Sequence, residues 1–496
     1  MKTPLLAMIF MSLMAVSNAQ DIVKPVFWLT WDQHQGFIDK GTGNSSTLFV
    51  DSSAVYDSSV VNFNAAYTFR GTGNNITVSN LFVANPKVTI MVAYMPDSLA
   101  QDNPVYSLKH DTSDVAILAP KWISRYGRNL GFADSVQVKA HINVLESQIR
   151  GGSAHGYLTE LSIAELTGSY FTGSIAELLV FEGKLNKPTR EKYETYLAIK
   201  YGVTLEGDRY LAFNDSVLWN RNGRGLYHHD ILGIARDSAL NLNQKQSQNS
   251  EVVIAATNKV KANDANVTVL PENSYLLMGA TAGAIANFSV DTLNANMIYA
   301  ISAKRWLVSL YNDSMRFVNT QFIIQDEGLL GSDSLFLIIQ RDETPSYDIL
   351  FPDSIDAEGK IYFNGITWDI DGSGSDIVRL ATFPQYAQTS SQRPGSNSFN
   401  NEANDSFMNR DSSSANRLQL FGYPNPTNDE FHISVMTSSI EQTEITITDV
   451  TGRVYFLSKQ EGQNFYNLQG PQLSPGTYFI KASSIAGVKF TKLIIY

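Results

Sequence analysis

Short runs of alternating apolar and polar residues, each ended by Gly, Pro, Asn or Asp, recur along most of the 496-residue chain. Alternation of period two sends successive side chains to opposite faces, so each run reads as a half-buried strand. Up to residue 205 the predicted strands are 26–31, 60–64, 66–70, 87–94, 115–118, 136–144 and 173–181, with turn clusters at 41–44 and 71–74. Beyond it come 252–256, 275–278, 304–310, 321–325, 335–341, 360–363 and 377–382, and then 431–435, 444–450, 473–481 and 489–496. One helix stands apart. Asn186 is its N-cap and Pro188 lies in its first turn. Tyr193, Tyr196, Leu197 and Lys200 follow at helical spacing, and Gly202 closes it. Residues 385–417 hold almost no aliphatics and much Ser, Asn, Asp and Gly, so they cannot bury enough surface to fold and read as a linker. The expected fold class is all-β.

The first nineteen residues break this pattern. Lys2, an apolar stretch from Leu5 to Val16 and Ser17-Asn18-Ala19 have the form of a secretory signal peptide, cleaved between Ala19 and Gln20. The apolar stretch is too short to cross a bilayer, and no other run approaches about eighteen apolar residues, so no transmembrane segment is expected after cleavage. A net charge of -11 argues against nucleic acid and anionic membrane surfaces as partners. The absence of cysteine excludes a disulfide framework, a thiol nucleophile, a Cys-zinc site and a lipoprotein anchor.

Three stretches resemble known families. The C-terminal block runs Tyr423-Pro424-Asn425-Pro426, then Asp449 with Gly452-Arg453, then Leu473-Ser474-Pro475-Gly476-Thr477-Tyr478, and ends on Lys489, Lys492 and a hydrophobic strand. This order resembles the type A C-terminal sorting domain of the type IX secretion system of the Bacteroidota. The resemblance implies a small immunoglobulin-like β-sandwich, the type IX machinery as partner, and export through the periplasm and across the outer membrane. It implies an address and no chemistry.

The stretch Gly173-Ser174-Ile175-Ala176-Glu177, followed by Leu185 and by Tyr196-Leu197-Ala198-Ile199-Lys200-Tyr201-Gly202, resembles the closing strand and trailing helix of a concanavalin-A-like (laminin-G-like) jelly roll. Trp219-Asn220, Tyr227, Asp230 to Asp237, Leu242 to Ser247 and Lys304-Arg305-Trp306 resemble an uncharacterised domain that trails such modules in surface proteins of the same bacteria. The expected organisation is a signal peptide at 1–19, a jelly roll at 20–205, a β-rich surface domain at 206–384, a linker at 385–417 and a sorting domain at 418–496.

Jelly rolls of this kind host lectins and glycanases alike, so residues must choose. Laminarinase-type glycanases on this fold take their carboxylates from one strand as E-x-D-x-E; here Glu206-Gly207-Asp208 lacks the second Glu. Glu177 and Glu182 are an odd five residues apart and fall on opposite faces of a regular strand. No G-x-S-x-G elbow, P-loop or H-E-x-x-H occurs. His228 and His229 are neighbours and point apart. Asp230, Arg236 and Asp237 are expected to form one charged hydrogen-bond cluster at strand ends.

The run Trp368-Asp369-Ile370-Asp371-Gly372-Ser373-Gly374-Ser375-Asp376 starts like a calcium loop, making Asp369, Asp371 and Asp376 candidate Ca2+ ligands. Leu380 stands where an EF-hand has its Glu, so an Asx-type turn is the alternative. Asp-Ser or Asp-Thr before an aliphatic residue recurs at Ser98, Ser135, Ser216, Ser238, Thr292, Ser314, Ser334 and Ser354. It is similar to the O-glycosylation acceptor of the Bacteroidota. No catalytic or cofactor-binding residue emerges. The expected function is an exported, non-catalytic adhesin-like or carbohydrate-binding protein with a glycan ligand. A jelly-roll glycoside hydrolase and a structural surface-layer module are the alternatives.

Overall fold

The structure, a computed structural model, describes most of residues 23–382 and 418–496 with short gaps. The signal-peptide reading with its Ala19–Gln20 cleavage, and the linker at 385–417, lie outside the described residues. What is described is nearly all antiparallel sheet.

Two sheets face each other in the first part. The eight-stranded one runs Arg128–Asn129, His141–Gln148, Lys87–Pro96, Thr172–Glu182, Phe27–Asp32, Gly36–Asp39, with Asn64–Arg70 paired to Thr172–Glu182 and Val55–Val61 to Asn64–Arg70. The six-stranded one runs Ile123–Ser124, Ser113–Ala119, Asn103–His110, Tyr157–Ile163, Ile76–Val83, Thr47–Val50. Phe27, Leu29, Phe69, Ile90, Val92, Leu178 and Val180 from one sheet meet Ile76, Val78, Tyr106, Leu161 and Ile163 from the other. Three strands of the six-stranded sheet, Ile76–Val83, Asn103–His110 and Tyr157–Ile163, escape the alternation rule. Register breaks between Pro104 and Tyr106 and between Thr159 and Leu161 shift the period within the last two.

A second pair of sheets follows. Its eight-stranded sheet runs Leu242–Gln244, His229–Asp237, Ser274–Ala280, Met297–Tyr311, Ser375–Thr382, Leu335–Arg341, Tyr347–Leu350, with Phe288–Asn294 branching from Met297–Tyr311. Its five-stranded sheet runs Gln246–Gln248, Val252–Ala256, Thr320–Ile324, Ile361–Ile366, Ser354–Ile355. Leu276, Met278, Trp306, Val308, Phe322, Phe363 and Trp368 fill the space between.

The helix Lys187–Tyr201 sits between the two pairs. It starts where predicted: the Asn186 side-chain oxygen accepts the Thr189 N–H at 2.8 Å. It ends on Gly202 at φ 65°, whose N–H reaches Ala198 O. Tyr193, Tyr196, Leu197, Ala198, Ile199 and Tyr201 are all buried, as expected of a helix covered on two sides. They join one apolar cluster with Trp28, Met91, Leu179 and Phe181 of the first large sheet and Ile231, Ala235, Tyr275 and Leu277 of the second. The result is five layers, six strands, eight strands, helix, eight strands and five strands.

The tip of the Val55–Val61/Asn64–Arg70 hairpin locks the layers. Residues 60–64 were expected to run straight as a strand, but Asn62 and Phe63 turn with φ of 47° and 64°. Two positive φ values make a tight hairpin turn. Asn tolerates that conformation; a bulky Phe does so only under outside constraint. The constraint is docking. Phe63 packs on Val253 and Ile323, and its carbonyl accepts Asn263 N–H at 2.8 Å. Asn62 donates to Lys200 O and Ser247 Oγ at 3.0 Å each and accepts Gln248 N–H at 2.8 Å. A Cβ on Gly202 would stand 3.1 Å from both Asn62 Cγ and Gln248 O, so the approach leaves no room for a side chain.

Residues 418–496 form a smaller two-sheet unit. Gln419–Tyr423, His432–Met436 and Phe465–Gln469 make one sheet. Val454–Gln460, Thr443–Asp449, Gly476–Ser484 and Gly487–Ile495 make the other. Ile433, Val435, Ile445, Ile447, Ile480 and Leu493 form the core between them.

Replacing Asn62 by Ala removes the polar plug of the hairpin tip and leaves the Gln248 N–H without its side-chain acceptor and the Ser247 hydroxyl without its Asn62 contacts. Thermal and denaturant unfolding should show a loss of roughly 1–3 kcal/mol. An unchanged midpoint would show that the tip does not hold the two sheet pairs together.

Candidate functional site

The most concentrated buried charge in the described residues belongs to Glu177, in the strand Thr172–Glu182. A register break between Ile175 and Glu177 turns both Ala176 and Glu177 toward the helix. After it, Leu178 and Val180 face the sandwich core and Leu179 and Phe181 the helix. Glu182 therefore falls on the opposite face from Glu177, and the two carboxylates do not share a cleft.

The Glu177 side chain has no solvent exposure. Its Oε1 accepts from the Trp28 indole N–H and from Tyr196 OH at 2.8 Å. Its Oε2 accepts from Tyr201 OH at 2.7 Å and from Lys200 Nζ at 2.8 Å. Lys200 also donates to Tyr196 OH at 2.8 Å and lies 5.1 and 5.3 Å from the Tyr196 and Tyr201 ring centroids. Burial pushes the Glu177 carboxyl up, but the Lys200 charge and the hydrogen bonds from Lys200, Tyr201 and Trp28 outweigh it and hold the group below its ordinary value. Burial first, then the Glu177 charge, pushes the Tyr196 and Tyr201 hydroxyls well up. At neutral pH the carboxylate is an anion with four donors on its two oxygens. The helix spacing of Tyr196 and Lys200 is visible in the sequence; Trp28, which comes from a strand 149 residues away, is not.

The expected cluster of Asp230, Arg236 and Asp237 does not form, because the three lie on different faces and turns of His229–Asp237. Asp230 joins Glu251 on the Lys304 ammonium, whose side chain is 4% exposed. Burial pulls Lys304 down, but its hydrogen bonds to Glu251 and Asp230 and their charges raise it overall. Arg236 pairs with Glu272 and the Leu270 carbonyl. Asp237 caps a short 3-10 turn through Ala239 N–H and also accepts from Phe213 N–H and Tyr275 OH. His228 Nε2 lies 2.8 Å from Leu205 O, while His229 is exposed, so the histidine pair does not converge. Asp208 of the Glu-x-Asp sequence lies outside the described residues.

The acidic loop also closes on itself. Asp369 Oδ1 accepts Gly374 N–H at 2.6 Å, and its Oδ2 faces Arg316 at 3.5 Å. Asp371 accepts from the Ser373 hydroxyl at 3.1 Å. Asp376 accepts the Asp369 N–H and pairs with Arg341. Burial, with Asp371 adding to it, pushes the Asp376 carboxyl up to about 6 against the pull of that N–H and of Arg341. Among the described residues no group of three His, Cys, Asp or Glu side chains is arranged to hold a metal ion. Asp369 and Asp371 instead bond within the loop, to Gly374 N–H and to Ser373, in the manner of an Asx-type turn.

The geometry is that of an all-β protein whose buried polar groups serve the fold. Residues 422–496 match the family model of the secretion system C-terminal sorting domain. The chain is accordingly a type IX-sorted protein, exported to the cell surface or secreted, and its sorting domain engages that machinery. Residues 189–372 match the model of a domain of unknown function, which begins inside the central helix. No curated protein matches the chain.

Similar solved structures include dimeric latent PorU from Porphyromonas gingivalis, at 9% identity over 93% of this chain and 35% of that one, with TM-score 0.17. A Paenibacillus sp. cycloisomaltooligosaccharide glucanotransferase complexed with cycloisomaltoheptaose is 9% identical over 68% of this chain and 46% of that one, with TM-score 0.16. The BSP domain of a biofilm associated protein is 9% identical over 92% of this chain and 84% of that one, with TM-score 0.17. The chain thus spans about a third and under half the length of the first two, and likenesses this distant bear on nothing further. No helix among the described residues is long and apolar enough to cross a membrane.

Because the Glu177 carboxyl is held below its ordinary value, its stabilisation is complete above the ordinary carboxylate range and fades as pH falls through the lowered value. Glu177→Gln strands Lys200 and should cost about 3–5 kcal/mol at neutral pH. The gap to wild type should narrow in acid. Denaturant titrations at both pH values test this, and equal stability at neutral pH would refute the role assigned to the carboxylate.

Proposed function

We propose that this type IX-exported chain is a non-catalytic, adhesin-like surface protein. Its outward part is read as a concanavalin-A-like (laminin-G-like) jelly roll at 20–205 and a β-rich domain at 206–384. A linker at 385–417 joins them to an immunoglobulin-like sorting domain at 418–496. The observation that carries the non-catalytic reading is Glu177: the strongest carboxylate of the jelly-roll motif is sealed by four donors from Trp28, Tyr196, Lys200 and Tyr201. A glycoside hydrolase needs two carboxyls roughly 5–9 Å apart across a cleft, and Glu182 stands on the other face of the strand. Carbohydrate is the ligand class that this fold commonly takes; a structural surface-layer module is the plainer reading.

A glycan array with the purified mature protein, run with and without calcium and followed by product analysis of each hit, is expected to give binding without cleavage. Cleavage would overturn the proposal. Silence across the array would favour the structural module, and calcium-dependent binding would return the loop at Asp369, Asp371 and Asp376 to consideration.

O-glycosylation at Asp-Ser-aliphatic positions belongs to the same reading. Ser238, Ser314 and Ser354 are exposed, whereas the Ser216 hydroxyl is 2.7 Å from Tyr311 OH. Intact mass of the exported protein should exceed that of the polypeptide, with modified peptides at the three exposed serines and none at Ser216. A bare polypeptide mass would reject the idea.

A further inference from the structure

The four-stranded sheet of the sorting domain sends Ile445, Ile447, Ile480, Ala482 and Leu493 into the core, so the residues between them face outward. The strand register orders that outer face into rows. Val454, Thr448, Phe479 and Lys492 form the first, and Leu457, Thr446 and Lys481 the second. Lys459, Glu444, Ser483 and Val488 form the third.

An antiparallel sheet with one face on a core ordinarily runs apolar inward and polar outward. The outward positions here break that rule. Val454 is 55%, Leu457 59%, Phe479 39% and Val488 48% exposed. Between residues 23 and 382 exposed large apolar side chains stand instead in turns and connections, as Leu226, Val267, Val269, Phe317 and Ile370 do. Apolar side chains arrayed among polar ones on an open sheet face are the mark of a surface that another molecule covers.

Charge narrows the kind of molecule. The face carries Lys459, Lys481 and Lys492 against a single acid, and that acid, Glu444, lies 3.6 Å from Lys459. The face is therefore positive within a chain of net charge -11. Both remaining lysines border the exposed ring of Phe479. Lys492 is its cross-strand partner, and Lys481 stands two residues further along the same strand and face. A complementary surface sets carboxylates over Lys481 and Lys492 and apolar side chains over Val454, Leu457 and Phe479. A second copy of the same face does not meet that description, since it would set lysines against lysines.

We propose that the type IX machinery binds the sorting domain on this outer sheet face, through an acidic surface that also exposes apolar side chains. The contact is made by side chains across three strands and adds no strand at an edge. The proposal rests on the sorting reading of residues 422–496, which supplies the partner, while the face supplies its chemistry.

The test is export of the full chain from a host with type IX secretion, with each purified variant melted alongside. Lys481→Glu with Lys492→Glu should lower the surface and medium fraction by at least about tenfold, with the precursor held in the periplasm and the melting curve unchanged. Leu457→Thr with Phe479→Thr keeps strand-forming residues and should lower export as well. Gln469→Glu, exposed on the three-stranded sheet of the same domain, and Lys261→Glu, exposed outside it, should export normally. Should one double variant fail to fold, the other decides. Folded face variants exported at the wild-type level overturn the proposal, and so does an equal loss from Gln469→Glu. A dimer in light scattering that the charge reversal abolishes overturns it in favour of a second copy. Export that survives deletion of residues 418–496 overturns the sorting reading itself. Export lost on deletion but intact in every face variant overturns the face alone.

Discussion

One buried carboxylate governs how the first sandwich carries a helix on its outer face. Burying an anion costs several kcal/mol unless every lone pair is answered. Glu177 meets that demand with a single cation and three neutral donors, two of them tyrosines of the helix. This fixes both the rotation and the height of the helix, since Tyr196, Lys200 and Tyr201 can reach one carboxylate in only one register. Apolar burial alone would let the helix slide along the sheet; the polar contact removes that freedom.

A helix so fixed presents its remaining surface to the second large sheet. Its last turn also offers the Lys200 carbonyl to the side chains of Asn62 and Asn64, and Gly202 to the close approach of Asn62, at the hairpin tip. The Phe63 conformation is costly by itself and is held because its ring and carbonyl are occupied by the second sheet pair. Strain in the first pair is thus offset by contacts in the second, so the two behave as one body although each has its own core.

How much of this could be read in the sequence follows from how local each signal is. The helix was legible to the residue at both ends, because Asn186, Pro188 and Gly202 act within one turn. Strands buried on both faces were legible as short, nearly continuous apolar runs, as in Leu335–Arg341 and Val252–Ala256. Two strands with register breaks, Asn103–His110 and Tyr157–Ile163, were not, since a bulge resets the period. Glu177 could be singled out by its motif, but its role depends on a bulge and on Trp28 from the other end of the domain. The loop at Asp369 reads equally as a calcium loop and as an Asx-type turn, because its oxygens have calcium-like spacing while Arg316 and Arg341, which meet Asp369 and Asp376, are far away in sequence.

The treatment of sheet edges separates the exported body from the domain that exports it. The strand orders of the four large sheets end on strands of two to four residues, too short to template a neighbour. Of the longer branch strands, Val55–Val61 leads into the hairpin tip that is buried in the second sandwich, and Phe288–Asn294 carries Asp291. In the sorting domain Val454–Gln460 pairs on one side only among the described residues. Its length is offset by other means: Lys459 puts a charge on the strand, and the register break opposite Ile447 and Thr448 bends it, and both discourage pairing with a further strand.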